Sequence, residues 1–156
     1  MATKKPLNQH NILNRRARFD YSLGDEFVVG IILTGPEVRA IRDSHAQLRG
    51  AFVTIRDDEL WLNNTSLTLK TSGKTNEPTV DTSPRKLLAK RKEIDRIMAA
   101  KKDGMTIVPL KLLNHSRYIK VVIALAKGKK NYDKRETLKR RDQDRETRRE
   151  LKNSGK

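Results

Sequence analysis

The carboxyl-terminal fifth of the chain most constrains the fold, because it cannot supply a hydrophobic core. Residues 127–156 contain 13 Lys and Arg and 6 Asp and Glu, and their clearly apolar side chains are Tyr132, Leu138 and Leu151. Such a segment cannot bury enough apolar surface to offset the entropy of ordering it. We therefore predict a disordered arm at residues 1–10, a folded body at 11–126 and a basic tail at 127–156.

The tail nevertheless has helical character. No Gly or Pro occurs from Asp133 to Lys152, and opposite charges recur at helical spacing, as in Glu136 with Arg140. Each such pair contributes about 0.2–0.5 kcal/mol, which does not sustain a lone helix that lacks an apolar face. We expect a conditional helix that orders along an anionic track, with a permanently solvated basic tail as the alternative.

The charge of the whole chain indicates an anionic partner. The 156 residues include 35 Lys and Arg against 19 Asp and Glu, a net charge of +16, and no cysteine. The lack of cysteine removes disulfide and thiolate chemistry. No signal-peptide core opens the sequence, and no run approaches the roughly 20 apolar residues of a membrane helix. We expect a cytoplasmic protein without membrane association, since the tail also lacks the bulky apolar face of a membrane-surface helix.

Short strands and hairpins account for most of the body. Hydrophobic runs and alternation predict strands at 27–33, 50–56, 59–63, 65–70, 105–113 and 118–127. Gly30 indicates a bulge or a close approach, and Pro109 indicates an edge or a bulge. The pattern predicts a mainly β fold with α: a small OB-like antiparallel β-barrel of about six strands with flanking helices.

Two helices are predicted in the body. The longer runs from Pro84 to about Lys102, with Ser83 as its N-cap and Gly104 after its end. A shorter helical turn is expected from Pro36 to Arg42. The polar segment from Thr71 to Ser83 is predicted to be a mobile loop.

Catalytic signals are weak. Three features could suggest an enzyme: scattered histidines, an acidic trio and a fragment of a phosphate-binding loop. They are His10, His45 and His115, residues 57–59, and residues 72–75. The histidines have no partnering motif, so we interpret them as surface or turn residues. The acidic trio is better explained as a solvated hairpin turn, and the loop fragment lacks the first glycine of a phosphate-binding loop. We expect no enzyme, no metal and no cofactor, and a small nuclease is the least favoured hypothesis.

Several strings, taken together in order, carry a more specific signal. They are NRRARFDY at 14–21, LTGPEVRAIR at 33–42, ELWLN at 59–63, RKLL at 85–88, VPLKL at 108–112 and ALAKGKKNYDKRE at 124–136. At these spacings they resemble the SmpB family, the SsrA-binding proteins of bacterial trans-translation. The resemblance covers about residues 10 to 150, and AKGKKNYDKR is its most specific motif.

The resemblance implies an OB-like barrel, flanking helices and a tail. It implies a monomer that binds the tRNA-like domain of transfer-messenger RNA (tmRNA, or SsrA RNA). Proteins of this family enter stalled ribosomes together with this RNA, and elongation factor Tu joins them indirectly through the RNA. The tail then becomes helical in the empty message channel of the small subunit, and translation switches to a degradation-tag reading frame. The alternative is a generic basic OB-type RNA-binding or ribosomal protein.

The resemblance also implies two sets of site residues. The predicted tmRNA contacts are Asn14, Arg15, Arg16, Arg18, Arg85, Lys86, Leu88, Lys90 and Arg91. The predicted contacts to the ribosomal decoding centre are Gly128, Lys129, Lys130, Tyr132, Asp133, Lys134, Arg135, Lys139 and Arg140. Tyr132 is the one aromatic residue in a charged stretch, so stacking on a base is its expected role. Departures from the family pattern are Val28, where an acidic residue is frequent, Lys90 and Pro36.

Overall fold

The computed structural model describes residues 10–70 and 77–153, which form ten strands and four helices. The strands are β1 Ile12–Leu13, β2 Tyr21–Ile31, β3 Ala46–Gln47, β4 Phe52–Arg56, β5 Glu59–Asn63, β6 Ser66–Lys70, β7 Pro78–Asp81, β8 Arg85–Leu88, β9 Thr106–Leu113 and β10 Lys120–Gly128. The helices are α1 Ala17–Asp20, α2 Gly35–Arg42, α3 Arg91–Lys102 and α4 Asn131–Asn153. Within these ranges, no helix is long and apolar enough to span a membrane.

Two antiparallel sheets make up the body. The larger has the order β1-β9-β10-β2-β8-β5-β4, and the smaller has the order β3-β6-β7. The larger sheet curls until β4 lies against β9, but no ladder joins these two strands in the described part of the chain. The predicted mainly β, OB-like antiparallel class is confirmed. The strand count is ten rather than about six, and the sheet remains open along the β4–β9 seam.

Both predicted hairpins are present. In the first, β4 and β5 pair from Phe52 opposite Asn63 to Arg56 opposite Glu59. Its turn residues Asp57 and Asp58 have φ of 49° and 60°. Positive φ at both central residues is the geometry of a type I′ turn, which Asp tolerates better than most side chains. The second hairpin joins β9 to β10.

The main core lies on the inner face of the larger sheet. Leu60, Leu62 and Val121 are fully buried there and pack with Ile41 of α2 and Ile97 of α3. A smaller cluster forms on the opposite face, under α1. Its buried members are Ala17, Leu110, Val122 and Ala124. The short helix α1 is therefore held to the sheet by Ala17.

The predicted helix from Pro84 to Lys102 is wrong over its first seven residues. Arg85–Leu88 forms strand β8, inserted between β2 and β5, and α3 begins at Arg91. Leu87 and Arg85 face inward while the residues between and after them face outward, so the period is two, as in a strand. Pairing with two neighbouring strands outweighs the local helix propensity. The N-cap is Lys90, whose N–H donates to Glu93 Oε2 at 2.9 Å, and not Ser83.

The other local predictions have mixed outcomes. The close approach at Gly30 is confirmed, because a Cβ added there would lie 3.3 Å from Leu88 Cβ. The bulge at Pro109 is confirmed by the register, in which Val122 opposes Lys111 and Ile123 opposes Pro109. The helix over 36–42 is confirmed as α2. The predicted loop over 71–83 is wrong at Pro78–Asp81, which pairs with β6, and residues 71–76 lie outside the described ranges.

The basic tail forms α4, which directly follows β10. Strand β10 continues to Gly128, opposite Tyr21, so the body extends two residues past the boundary predicted at Ala126. The side chains of α4 are mostly exposed. Its dependence on an anionic partner stays a prediction, and the predicted N-terminal arm at 1–10 lies almost entirely outside the described residues.

Candidate nucleic-acid interface

The N-terminal arginine motif, residues Asn14–Arg18, is built around a buried asparagine. Asn14 donates from Nδ2 to the carbonyl of Pro109 at 2.9 Å, and its Oδ1 accepts the Ala17 N–H at 3.2 Å. These bonds attach the start of α1 to the bulge in β9. Asn14 therefore shapes the motif from inside, while the side chains of Arg15, Arg16 and Arg18 project into solvent. All three guanidinium groups face solvent, and Arg16 Nε also pairs with Asp20 Oδ2 at 3.1 Å.

A basic groove runs beside this motif. Two adjoining cavities of about 420 and 410 Å³ share Asn14, Arg16 and Arg49 in their linings. The second cavity lies along the open seam between β4 and β9 and includes Phe52, which is partly exposed. Arginines beside an exposed aromatic ring suit phosphate binding with base stacking. Arg49 and Phe52 were missed from sequence, because no local motif marks them and the seam forms only on folding.

The outer patch lies on the solvent face of the larger sheet and comprises Val28, Gly30, Leu88 and Lys120. Gly30 pairs with Leu88 on one side and with Lys120 on the other. Val28 is two residues along β2 and so shares this face. Val28 is 53% exposed and Leu88 is 52% exposed. Leu88 is therefore not a core residue, and the patch combines apolar contact area with a cation.

Arg85 does not belong to the nucleic-acid surface. Its side chain is 3% exposed, and its Nε donates to Glu37 Oε1 at 2.7 Å. Its Nη2 donates to Asp81 Oδ2 at 3.0 Å, and its Nη1 donates to the carbonyls of Thr65 and Ser83 at 3.1 and 2.8 Å. Arg85 thus joins β8 to α2 and β7. The predicted RNA contact at this position is corrected to a structural role.

Hydrogen bonds lower the pKa of one of the two carboxyl groups that hold Arg85. Donation from the Ser83 hydroxyl and backbone N–H to Asp81 lowers the pKa of that carboxyl group, and the nearby Arg85 charge adds to the effect while burial opposes it. Glu37 also accepts the Thr34 N–H at 2.6 Å and the Thr34 hydroxyl at 3.0 Å. The same carboxylate therefore closes the N-terminus of α2 and neutralises Arg85.

The remaining predicted cations of this region face outward but are partly engaged. Lys86 forms an ion pair with Glu59. Arg91 pairs with Asp58 at 3.2 Å and with Asp95 at 3.2 Å. Lys90 is exposed. Acidic residues of the β4–β5 hairpin are thus paired with Lys86 and Arg91, and these pairs must exchange for phosphate if RNA binds here.

The tail entry, residues Gly128–Arg135, lies against α1. The Lys129 N–H donates to the carbonyl of Asp20 at 3.0 Å, and Lys134 Nζ lies 3.3 Å from Asp20 Oδ1. Asp133 accepts the Lys130 N–H at 3.3 Å, so it caps the start of α4. The N-terminal arginine motif and the tail entry, predicted as separate sites, therefore meet at α1.

The other predicted tail residues are exposed to solvent. Tyr132 is 64% exposed, and Arg135, Lys139 and Arg140 are exposed. Further along α4, the Arg141 guanidinium lies 5.7 Å from the centroid of the Phe19 ring. The first turns of α4 thus rest on α1 while a row of cations and one aromatic ring stay open to solvent. This arrangement leaves two cationic surfaces exposed, one on the body and one on α4.

Comparison with known proteins gives a consistent result. A family model described as "SmpB protein" matches residues 11–153. The chain is 42% identical to the SsrA-binding protein of Ligilactobacillus salivarius (strain UCC118), with 99% of this chain and 100% of that protein covered. It is 42% identical to the SsrA-binding protein of Coxiella burnetii (strain CbuK_Q154), with 98% and 97% covered.

A solved structure gives the same assignment. It is described as "tmRNA-SmpB: a journey to the center of the bacterial ribosome" and is similar with a TM-score of 0.60 and 37% identity. The similarity covers 78% of this chain and 85% of that one. The family model spans residues 11–153, and the structural similarity covers most of the same chain. The chain belongs to the SmpB family.

Proposed function

We propose that this protein binds the tRNA-like domain of tmRNA and delivers it to stalled ribosomes for trans-translation. The observation that carries the proposal is the junction of two basic surfaces at α1: a groove on the body, and a cationic helix that leaves the body beside it. One RNA can occupy the body while the tail engages another. Family membership over both parts supports this division.

On the body, the proposed contacts are the exposed arginines and the outer patch. Arg15, Arg16 and Arg18 would bind phosphates, and Lys86, Lys90 and Lys120 would add charge around Leu88. Phosphate contacts supply affinity that falls with salt, whereas a folded RNA is distinguished by shape and by stacking on unpaired bases. The apolar area at Val28 and Leu88 provides a surface for a base or ribose.

On the tail, the proposed contacts are to small-subunit ribosomal RNA in the empty message channel and decoding centre. Tyr132, Arg135, Lys139 and Arg140 are exposed on α4 and would make them. Gly128, Lys129, Lys130, Asp133 and Lys134 would set the direction of the helix rather than touch RNA themselves. We further propose that the protein acts in the cytoplasm as a monomer, performs no covalent chemistry and meets elongation factor Tu through tmRNA.

A competition experiment tests the body. Labelled tmRNA is displaced from the full-length protein by unlabelled tmRNA or by an unrelated folded RNA of equal length. We expect tmRNA to compete at least about tenfold better, a discrimination of about 1.4 kcal/mol. Equal competition would instead favour a generic basic RNA-binding or ribosomal protein.

A truncation tests the tail. Ending the chain after Lys130 removes α4 but keeps all of β10, whereas ending it after Ala126 would remove the pairing of Lys127 with Ser22 and of Gly128 with Tyr21. We expect the Lys130 truncation to retain most tmRNA affinity and to lose degradation tagging in a reconstituted translation assay. An equal loss of both activities would contradict the proposed division.

A further inference from the structure

We propose that the rings of Trp61 in β5 and Phe52 in β4 form an aromatic track that stacks two unpaired bases of a single-stranded RNA segment. The track lies on the solvent face of the larger sheet and connects the outer patch to the basic groove. It deepens the proposed function, because the choice of tmRNA as the source of this segment rests on that function. Stacking of single-stranded RNA on the track can be tested without tmRNA.

The alternation of side chains places both rings on the solvent face. Leu60 and Leu62 flank Trp61 in β5 and are fully buried in the main core, so the Trp61 ring lies on the opposite face of the strand. In β4, the adjacent Val53 is buried, which gives Phe52 the same outward direction. Phe52 is 45% exposed, and Trp61 is half-buried. A nucleotide can therefore reach both positions from solvent.

The two rings are diagonal neighbours on adjacent strands. Trp61 opposes Thr54, and Phe52 lies two residues before Thr54 in β4. Residues in such diagonal positions lie about 7–8 Å apart, which aromatic side chains can span. Asn63 opposes Phe52. Its Nδ2 donates to Thr54 Oγ1 at 2.9 Å and to the carbonyl of Trp61 at 3.0 Å. These bonds join β4 and β5 beside the rings, which makes the track a fixed platform for successive bases.

Packing within the protein does not account for the whole Trp61 ring. Within the part of the chain that the structure describes, Trp61 packs on neither of the two core clusters. Its cross-strand neighbours are Thr54 and Lys86, whose methyl group and aliphatic stem can cover one part of the indole. A stacked base would cover more of the apolar ring surface, as aromatic side chains do in proteins that bind single strands.

Cations lie at both ends of the track. Lys86 opposes Trp61 at the end next to the outer patch, and Arg49 lines the same cavity as Phe52 at the other end. The phosphates of a strand whose bases lie on the rings can therefore be neutralised at either end. Glu59 precedes Trp61 by two residues and pairs with Lys86. This carboxylate lies on the side of Trp61 away from Phe52, so it does not interrupt the track.

Intrinsic fluorescence tests the stacking directly, because Trp61 is the one tryptophan of the chain. The full-length protein is titrated at low salt with a single-stranded oligoadenylate of about six nucleotides, or with an abasic oligomer of the same length and charge. We expect the oligoadenylate to quench the emission at least about twofold more than the abasic oligomer, because stacking needs a base whereas phosphate binding does not.

Two results of this titration would overturn the proposal. One is equal quenching by the two oligomers, or none by either, which would assign the rings to packing within the sheet. The other is quenching that grows with protein concentration before RNA is added, which would assign this face to contact with a second copy of the chain.

Substitutions then extend the test to tmRNA. We expect Trp61→Leu and Phe52→Leu each to weaken tmRNA binding at least about fivefold, because each removes one stacked base. The salt slope should stay unchanged, since no phosphate contact is lost. Trp61→Phe keeps a ring and should stay within about threefold of the parent protein. The matched control is Tyr118→Leu, which removes an exposed ring outside the track.

The variants also separate stacking from stability. All affinities are measured well below the melting temperature of each variant, so that loss of folded protein does not count as loss of binding. If both leucine variants bind tmRNA as tightly as Tyr118→Leu, the track is refuted. If tmRNA shows no preference over an unrelated folded RNA, the proposed function fails while the oligoadenylate result stands.

Discussion

Arg85→Ala is the substitution that most directly tests the corrected role of the RKLL segment. The Arg85 side chain is 3% exposed and that of its partner Glu37 is 9% exposed. Removing the guanidinium leaves a buried carboxylate without its charge partner and also frees the carbonyls of Thr65 and Ser83. Breaking one side of a buried ion pair costs about 3–5 kcal/mol. At this chain length, we expect the melting temperature to fall by roughly 10 °C or more.

The adjacent residue provides the matched control. Lys86 lies on the same strand, but its ion pair with Glu59 is 34% and 40% exposed, and exposed pairs contribute about 1 kcal/mol or less. Thermal and urea unfolding are followed by circular dichroism and by the fluorescence of Trp61, the one tryptophan of the chain. We expect Lys86→Ala to leave stability within about 1 kcal/mol of the parent protein.

RNA binding should show the reverse of the stability result, with Lys86→Ala and not Arg85→Ala as the impaired variant. Measured well below its melting temperature, Arg85→Ala should keep tmRNA affinity within about twofold of the parent, because Arg85 does not reach solvent. Lys86→Ala should weaken binding and reduce the salt slope by about one. The reasoning is refuted if Arg85→Ala costs less than about 1 kcal/mol, or if it changes the salt slope of the folded protein as Lys86→Ala does.

Three further perturbations follow from the same geometry. Leu87→Ala should lower the free energy of unfolding by about 2–5 kcal/mol because Leu87 is buried. Leu88→Ala should leave stability nearly unchanged and weaken tmRNA binding. Equal losses of stability in urea unfolding would contradict the strand assignment. Asp81→Asn should lower the free energy of unfolding at neutral pH. Because the folded pKa of Asp81 lies below its ordinary value of 3.8, the difference in stability between the parent and the variant should shrink as pH falls below about 4 and vanish below the folded pKa. A difference that stays constant from pH 7 to pH 2 would count against this reasoning. Tyr132→Ala should lower tagging without changing stability or tmRNA affinity. Tyr118 is similarly exposed, and Tyr118→Ala should change none of the three.

Local patterns were sufficient where the determinant is contained in a few adjacent residues. The Asp57-Asp58 turn between alternating strands predicted the first hairpin, and the apolar spacing over 36–42 predicted α2. Pro109 predicted the bulge in β9, which the structure uses to receive Asn14. These features depend on turn preferences and side-chain periodicity, which act over a few residues and do not depend on distant partners.

The segment from Pro84 to Lys102 shows where local patterns fail. Its residues are good helix formers, and Pro84 is compatible with a helix start, so nothing nearby favours a strand. Leu87 and Leu88 pair with Ile31 and Gly30 of β2, more than fifty residues earlier in the chain. Glu37 and Asp81 hold Arg85 from two further elements. The stabilisation of β8 thus comes from long-range pairing and from a buried ion cluster that no window of sequence contains.

Three features are already present in the unfolded chain: the patterns of a β-rich body, a basic tail that cannot form a core, and the ordered motifs of the SmpB family. These are properties of composition, periodicity and short strings, which are complete before folding. Only folding determines which cations remain available: it buries Arg85, pairs Lys86 and Arg91 with acidic residues of the β4–β5 hairpin, and places Arg49 beside the aromatic ring of Phe52 along the open seam. It also brings Asp20 between Arg16 and Lys134. Charge pairs depend on distances between residues remote in sequence, and folding sets those distances.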